Sequence, residues 1–118
     1  MKIAVPTDDI ITVSDSLINA RWIKIFTFQS EYVTGESILK NPRNENGNST
    51  SFQFFTHLGD LLSDCDAIIV HENDPVDSEI LAKNQLHEVR TREEIITNAV
   101  IGYNARIVSY NSNRCCSP

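Results

Sequence analysis

The chain has 118 residues, with 10 Lys and Arg against 16 Asp and Glu, and its net charge is −6. This length suits one domain with a core of its own. The acidic balance argues against nucleic-acid binding, which relies on clustered basic side chains. No run approaches the roughly 20 apolar residues that a membrane-spanning helix needs, and no charged-then-apolar leader is visible. We therefore expect a cytoplasmic protein that binds neither nucleic acid nor membrane.

The three cysteines are Cys65, Cys115 and Cys116. An odd number, with two of them adjacent, does not suggest a disulfide framework. The vicinal pair supplies only two thiolates and has no histidine near it in the sequence, so we interpret it as chance composition of a tail and not as a metal site. We expect a single domain over residues 1–110 and a flexible tail over 111–118. The sequence does not set the oligomeric state, and a monomer suffices for such a domain.

The first half of the chain reads mainly as strands. Lys2–Pro6 is a short apolar strand, and Arg21–Phe28 and Tyr32–Leu39 are rich in aromatic and β-branched residues and predict a β-hairpin. Gly35 interrupts the second arm of the hairpin, which indicates a bulge or an edge position. The segment 41–51 has no apolar residue and predicts a long loop.

The second half alternates between strands and helices. A helix is expected from Ser51 onward, because its apolar residues recur at helical spacing: Phe52, Phe55, Leu58 and Leu62. The unbroken apolar run Ala67–Val70 is typical of a strand buried on both faces. Asp74 and Pro75 then predict a helix start, with Asp74 as the N-cap and Pro75 as the first helical residue.

A short last strand is expected over Leu86–Arg90. Thr91 and Glu94 fit a capping box, which predicts that a helix begins directly after that strand. Further on, Ala105–Tyr110 suggests a little more extended structure.

The predicted order is β-β-β-α-β-α-β-α. Strands 1, 4 and 5 should be parallel, and strand 2 should run antiparallel on the other side of strand 1. We therefore predict an α/β fold with a mixed five-stranded sheet and helices on both faces.

Polar residues follow the buried central strand: His71, Glu72 and Asn73. In open α/β sheets, ligands bind at the carboxyl ends of the strands. His71 is therefore a candidate metal or cofactor contact. The alternative is a histidine that ends a strand and forms a local hydrogen bond, and this alternative is favoured because no partner ligands are visible in the sequence.

Asp8 and Asp9 follow strand 1, which should lie beside the turn that contains Asp74. Three carboxylates at this edge could bind a hard divalent cation, as a metal-dependent hydrolase requires. These acids fall in turns and the chain is acidic, so nuclease activity ranks behind the non-enzymatic functions considered next.

The order of elements and several landmarks resemble the dinitrogenase iron–molybdenum cofactor family, of the NifX and NifB carboxy-terminal type. The opening Met-Lys-Ile-Ala-Val-Pro-Thr-Asp resembles the start of that family. The segment Asp-Ala-Ile-Ile-Val at 66–70, followed by Pro75, is similar to its buried strand and helix-opening proline. The resemblance implies a ribonuclease-H-like three-layer fold and no enzymatic activity. It also implies that the chain carries an iron–molybdenum or other metal–sulfur cluster, or binds a cofactor-assembly protein.

By this resemblance, the cofactor-binding residues would lie in the loops at one edge of the sheet: Asp9, Ser14, Ser16, Asn19, Gly47, His71 and Asn73, with His71 as the metal-ligand candidate. The chain also departs from the family pattern, since Ser16-Leu17-Ile18-Asn19 stands where the family has His-Phe-Gly-Arg. An alternative therefore stays open, namely a regulatory or interaction domain that has the fold and binds no cofactor.

Overall fold

The computed structural model describes the backbone of residues 1–42 and 51–115, and the side chains of residues 1–42 and 54–109. Most of the loop expected at 41–51, including Gly47, lies outside the described residues, as does Cys116. The side chains of Phe52 and Cys115 also lie outside them.

The five strands are β1 (Lys2–Thr7), β2 (Trp22–Gln29), β3 (Tyr32–Lys40), β4 (Ala67–His71) and β5 (Glu88–Thr91). Three helices are present among the described residues: α1 (Ser51–Leu61), α2 (Ser78–Lys83) and α3 (Ile96–Cys115).

The strands form one mixed sheet in the order β3-β2-β1-β4-β5. β1 pairs antiparallel with β2 and parallel with β4, which in turn pairs parallel with β5. The predicted pairing directions are therefore confirmed, and the fold is the expected three-layer α/β fold. A register shift opposite Thr27 and Phe28, beside Gly35, marks a bulge in the edge strand β3, as the glycine indicated.

Buried side chains fill both faces of the sheet. On one face, α1 and α2 cover the sheet, with the following members of the core: Phe54, Phe55, Leu58, Leu62, Leu81, Ile23, Ile25, Ile68 and Val70. On the other face, α3 covers it, with Ile96, Ala99 and Val100 against Ile3, Val5, Phe26, Phe28 and Ile69. The central strand β4 thus contributes to both clusters, because alternate side chains of a strand point to opposite faces. Because β4 is buried on both faces, its apolar run is unbroken.

The predicted start of α2 was wrong by several residues. The N-cap is Asp77, whose carboxylate accepts a hydrogen bond of 2.9 Å from the Glu79 N–H, and the helix begins at Ser78. Asp74 lies before the helix because its carboxylate bonds to Leu17 and Val76 instead. The capping rule fits either aspartate in the sequence, and a contact with a distant loop decides between them.

The capping box at Thr91 was also wrong. Thr91 is the last residue of β5, where it pairs with His71, and α3 begins only at Ile96. The first N–H of α3, that of Ile96, donates to the carbonyl oxygen of Ile11 at 2.9 Å. A loop far away in the sequence therefore supplies the cap that the local pattern assigned to Thr91.

The extended structure expected over Ala105–Tyr110 is wrong as well, because α3 continues unbroken to Cys115. The β-branched residues of that stretch, Ile107 and Val108, suggested a strand, but they are tolerated in a helix at a small cost in propensity. The backbone of 111–115 is therefore helical where a tail was expected.

A buried and an exposed leucine of α1 test whether burial in the core stabilises the packing of this helix. Leu58 is fully buried and Leu61 is 39% exposed. We expect Leu58→Ala to lower the free energy of unfolding by about 2–5 kcal/mol, since it leaves a cavity in the core. The matched change Leu61→Ala should cost less than about 1 kcal/mol. Urea unfolding followed by circular dichroism measures both, and equal losses would contradict this packing.

Candidate functional site

The carboxyl edge of the sheet is formed by the segments that follow β1, β4 and β5. These are residues 8–21, 72–77 and 92–95. Asn41, directly after β3, reaches the same edge through its side chain. Of the candidate site residues predicted from the sequence, four lie in the first segment and Asn73 lies in the second, whereas His71 is the last residue of β4 and Gly47 lies outside the described residues.

The turn at Asp9 is closed by the aspartate itself. Its carboxylate accepts hydrogen bonds from the N–H groups of Ile11, at 3.0 Å, and Thr12, at 2.7 Å, and from the Thr12 hydroxyl at 2.9 Å. These bonds, led by the one from the Thr12 N–H, lower the pKa of Asp9 to about 2. Asp9 is thus an ionised structural acceptor at neutral pH.

Ile10, inside this turn, has a φ of 70°. A β-branched residue in the left-handed region is strained. Thr7 holds it there, because the buried Thr7 hydroxyl accepts the Ile10 N–H at 2.9 Å and donates to the Thr12 carbonyl oxygen at 2.6 Å. The loop conformation is therefore imposed by its hydrogen bonds.

Asp8 holds the rest of the 8–21 segment. One of its oxygens accepts the Arg21 N–H at 3.1 Å, and the other lies 3.1 Å from the hydroxyl of Ser14. The Ser14 hydroxyl also accepts the Ser16 N–H at 3.2 Å, and the Ser16 hydroxyl accepts the Asn19 N–H at 3.3 Å. The structure thus brings Ser14, Ser16 and Asn19 together as a chain of local bonds.

Leu17 is the point where three segments meet. Its N–H donates to the Asp74 carboxylate at 2.8 Å, and its carbonyl oxygen accepts from the Asn41 side-chain amide at 2.8 Å. All three residues are buried. Because unpaired buried peptide groups are costly, these two side chains fix the loop to the turn after β4 and to the end of β3.

Arg90 holds the turn after β4 from the other side. Its guanidinium donates to four carbonyl oxygens: those of His71, Glu72, Asp74 and Val76, at 2.6–3.3 Å. It also forms an ion pair with Glu88 at 3.3 Å. A planar guanidinium with five donors suits such a fan of acceptors, which a lysine cannot match.

Opposing effects act on the ionisation of Asp74. Burial raises the pKa of this carboxyl, whereas the bonds from the Val76 and Leu17 N–H groups and the nearby Arg90 lower it, and burial dominates. The carboxylate is therefore a buried acceptor whose charge is costly to desolvate.

His71 forms the local hydrogen bond that the sequence alternative described. Its Nδ1 accepts the Asn73 N–H at 3.1 Å. Because Nδ1 acts as an acceptor, the proton of the neutral ring lies on Nε2. Nε2 is therefore a hydrogen-bond donor, and metal ligation through Nε2 would require a change of tautomer that breaks the bond to Asn73.

The predicted site residues form two groups. Asp9, Ser14, Ser16 and Asn19 belong to the loop after β1. His71 ends β4, and Asn73 belongs to the turn after it. The Asp74–Leu17 bond joins the two segments. His71 follows Ile69 at strand spacing and so faces the α3 side, whereas Leu17 packs in the cluster on the opposite face.

The three carboxylates suggested for a divalent cation are engaged separately. Asp8, Asp9 and Asp74 each bond to N–H or hydroxyl groups of the loops, and no set of three potential ligands from His, Cys, Asp or Glu comes together among the described residues. Cys65 lies at the opposite edge, where burial raises the pKa of its thiol to about 11.

Asn41 and Arg90 are the residues at this edge that the sequence analysis missed. Asn41 was assigned to a long loop, and Arg90 to the end of a strand. Only a weak feature of the sequence pointed to Arg90. It is a cation in a strand that should be mostly buried, and a buried cation needs hydrogen-bond acceptors around it.

None of the helices in the described part of the chain is long and apolar enough to cross a membrane.

No protein-family model matches the chain, and no curated protein matches it. Among solved structures, the crystal structure of PH0822 is similar to it, with a TM-score of 0.66 at 14% sequence identity. The similarity covers 89% of this chain and 91% of the other. This likeness supports the fold and carries no information on function.

The bonds of Asp74 predict a clear cost for Asp74→Asn. An amide offers one acceptor oxygen, so either the Leu17 or the Val76 N–H would face an NH2 group. We expect a loss of about 1–3 kcal/mol in the free energy of unfolding. The control Asp60→Asn, at an exposed position of α1, should change it by less than about 0.5 kcal/mol. Equal effects in urea titrations would contradict the assigned bonds.

The lowered pKa of Asp9 predicts a pH dependence. The usual Asp pKa in an unfolded chain is about 3.9, and that of Asp9 in the folded chain is about 2. The ionised form therefore stabilises the fold above about pH 4, and this contribution disappears as the pH falls through about 2. Over this window, urea titrations should show a steeper loss of stability for the wild type than for Asp9→Asn. Parallel profiles would show that the bonds to Asp9 do not form.

Proposed function

We propose that this chain is a non-enzymatic carrier or scaffold domain that binds a metal–sulfur cargo, of the kind handled by the dinitrogenase iron–molybdenum cofactor family. The resemblance of residues 1–8 and 66–75 to that family carries the proposal. The mixed five-stranded sheet supports it, since the resemblance implies a three-layer α/β fold.

The state of the polar groups supports a binding function over catalysis. Asp8, Asp9 and Asp74 all accept hydrogen bonds from the loops, so they shape the edge of the sheet. Preorganised loops suit the retention of a ligand, whereas general acid–base catalysis needs groups that can exchange protons with a substrate.

The donor groups at this edge fit a cargo held by hydrogen bonds and not by a set of coordinate bonds. The candidate donors are the side-chain amides of Asn19 and Asn73, the Ser16 hydroxyl and the Nε2–H of His71. Asn19 and Asn73 are exposed, and Ser16 and His71 are half-buried. Such neutral donors can bond to the sulfide edges of a cluster. In this proposal, His71 is a hydrogen-bond donor to the cargo.

A second candidate is an interaction domain that binds no cofactor. The observation that favours it is the bond between the Asn73 N–H and His71 Nδ1. This bond occupies one of the two ring nitrogens that could bind a metal, and among the described residues His71 is the sole histidine at this edge. The acidic side chains nearby, including Asp9 and Glu72, also disfavour an anionic cluster.

An anaerobic titration separates the two candidates. The purified chain is mixed with ferrous iron and sulfide, and in a parallel sample with tetrathiomolybdate, and is then passed through gel filtration with visible absorption recorded. If the chain is a carrier, a stoichiometric chromophore should elute with the protein. If no chromophore elutes with it, the carrier proposal fails for these clusters and the interaction domain becomes the better account.

Two histidine variants locate the cargo. His71→Ala removes the proposed donor and should weaken chromophore retention by about tenfold, as expected for one hydrogen bond to a charged group. His57→Ala changes an exposed histidine of α1 and should retain the chromophore as the wild type does. Equal retention by both variants would refute the role of His71.

A further inference from the structure

The strand β3 lies at one edge of the sheet and pairs with β2 alone. It has nine residues, whereas β5, at the opposite edge, has four. Short edge strands are one way in which proteins prevent pairing with another chain, and β3 does not have this protection. After the bulge beside Gly35, the stretch Glu36–Lys40 forms a regular ladder with β2.

The hydrogen bonds of β2 show which peptide groups of β3 are used within the chain. In an antiparallel sheet, successive residues direct their N–H and C=O groups to alternate sides. The Phe28 N–H donates to the Met1 carbonyl oxygen on the β1 side, and the Arg21 carbonyl oxygen accepts the Asn41 N–H on the β3 side. The odd-numbered residues of β2 therefore bond to β3.

The same alternation applies to β3. The ladder partners of the odd-numbered β2 residues are also odd-numbered: Gly35, Ser37 and Leu39. The peptide groups of the residues between and after them point away from the sheet: Glu36, Ile38 and Lys40. The free side of β3 thus offers a row of N–H and C=O groups that its own sheet does not use.

The side chains of these outward residues carry a symmetric pattern. Ile38 lies opposite Lys24 and Glu36 lies opposite Phe26, which belongs to the core under α3, so all three outward side chains share the α3 side of the sheet. Ile38 is 46% exposed, and Glu36 and Lys40 are exposed. An exposed apolar side chain therefore lies midway between two opposite charges.

These charges cannot pair with each other in one chain. Four residues along a strand span about 13 Å, so Glu36 and Lys40 are too far apart for an ion pair. Neither forms a salt bridge with another residue in the part of the chain that the structure describes. In an antiparallel second copy of β3 centred on Ile38, each Glu36 would face a Lys40 across the ladder, with Cβ atoms about 5 Å apart.

The charges also distinguish between possible registers. A two-fold pairing centred on Glu36 would place two glutamates opposite each other, and one centred on Lys40 would place two lysines opposite each other. Both are disfavoured, because like charges directly opposite are destabilising. Charged side chains commonly protect edge strands from pairing, but here the pairing centred on Ile38 brings together opposite charges at both of its ends.

We propose that two copies of the chain pair their β3 strands antiparallel, centred on Ile38, so that the two sheets become one continuous sheet. Ile38 pairs with Ile38 of the second copy, and Glu36 pairs with Lys40 at both ends; each pair exchanges two N–H···O bonds. Such an interface is isologous. It uses the flank of the sheet, so it goes beyond the cargo binding proposed above and can be tested without a cargo.

Sedimentation velocity of the full chain, from about 1 to about 200 μM, measures the dimer. The wild type should shift from monomer toward dimer over this range. Glu36→Lys and Lys40→Glu each place like charges opposite one another at both ends of the pairing, and each alone should weaken dimerisation at least about tenfold. The control Lys83→Glu makes the same change of charge as Lys40→Glu at an exposed position of α2 and should leave the dimer intact.

Combining the two charge changes tests the register itself. In an equimolar mixture of Glu36→Lys and Lys40→Glu chains, Lys again faces Glu at both ends, so a mixed dimer should form. The double variant, with both changes in one chain, should dimerise as the wild type does. A double variant that dimerises as weakly as the single variants would overturn the proposed pairing of charges.

Ile38 tests the backbone pairing. Ile38→Pro removes an N–H that points away from β2, so the fold should remain intact while dimerisation weakens at least about tenfold. Ile38→Val keeps the N–H and a β-branched side chain and should dimerise as the wild type does. Thermal unfolding verifies that each variant is folded. A monomeric wild type at about 200 μM, or a dimer that resists both Ile38→Pro and the single charge variants, would overturn the proposal.

Discussion

Two buried side chains bond to the peptide groups before and after Leu17, and the shape of the sheet's carboxyl edge depends on these two bonds. Asp74 accepts the Leu17 N–H and Asn41 donates to the Leu17 carbonyl oxygen. The loop after β1 crosses the end of the sheet without regular structure, so its buried peptide groups need partners from elsewhere. Asp74 and Asn41 are such partners, and they come from the ends of two other strands. This contact sets the relative positions of three segments that are distant in sequence.

The same logic explains why so many polar residues at this edge form internal bonds. Asp8 and Asp9 close the loop after β1, and Arg90 gathers the carbonyl groups of the turn after β4. Residues that would be read as ligands or catalytic acids in the sequence act as a scaffold in the structure. Among the described residues of this edge, the side chains of Asn19 and Asn73 are exposed as neutral donors, beside the exposed ion pair of Glu72 and Arg92.

The sequence predicts the fold well because the fold rests on local patterns. The apolar run at Ala67–Val70 has the composition of a strand covered on both faces, and Gly35 marks the bulge in the edge strand. The starts of two helices were wrong for the same physical reason. Asp74 and Thr91 satisfy the local capping rules, but Asp74 bonds to a loop and Thr91 to a neighbouring strand. The site depends on such long-range bonds, so Asn41 and Arg90 could not be assigned to it from local pattern alone.

The most direct test of this account is native-state hydrogen exchange at the Leu17 amide. Residues in irregular loops usually exchange quickly, because they open at low free energy. If Asp74 holds the Leu17 N–H in the buried edge, this amide should be protected as strongly as the amides of β1, and Asp74→Asn should remove much of that protection. Rapid exchange of the Leu17 amide in the wild type, at the rate of an open loop, would contradict the account.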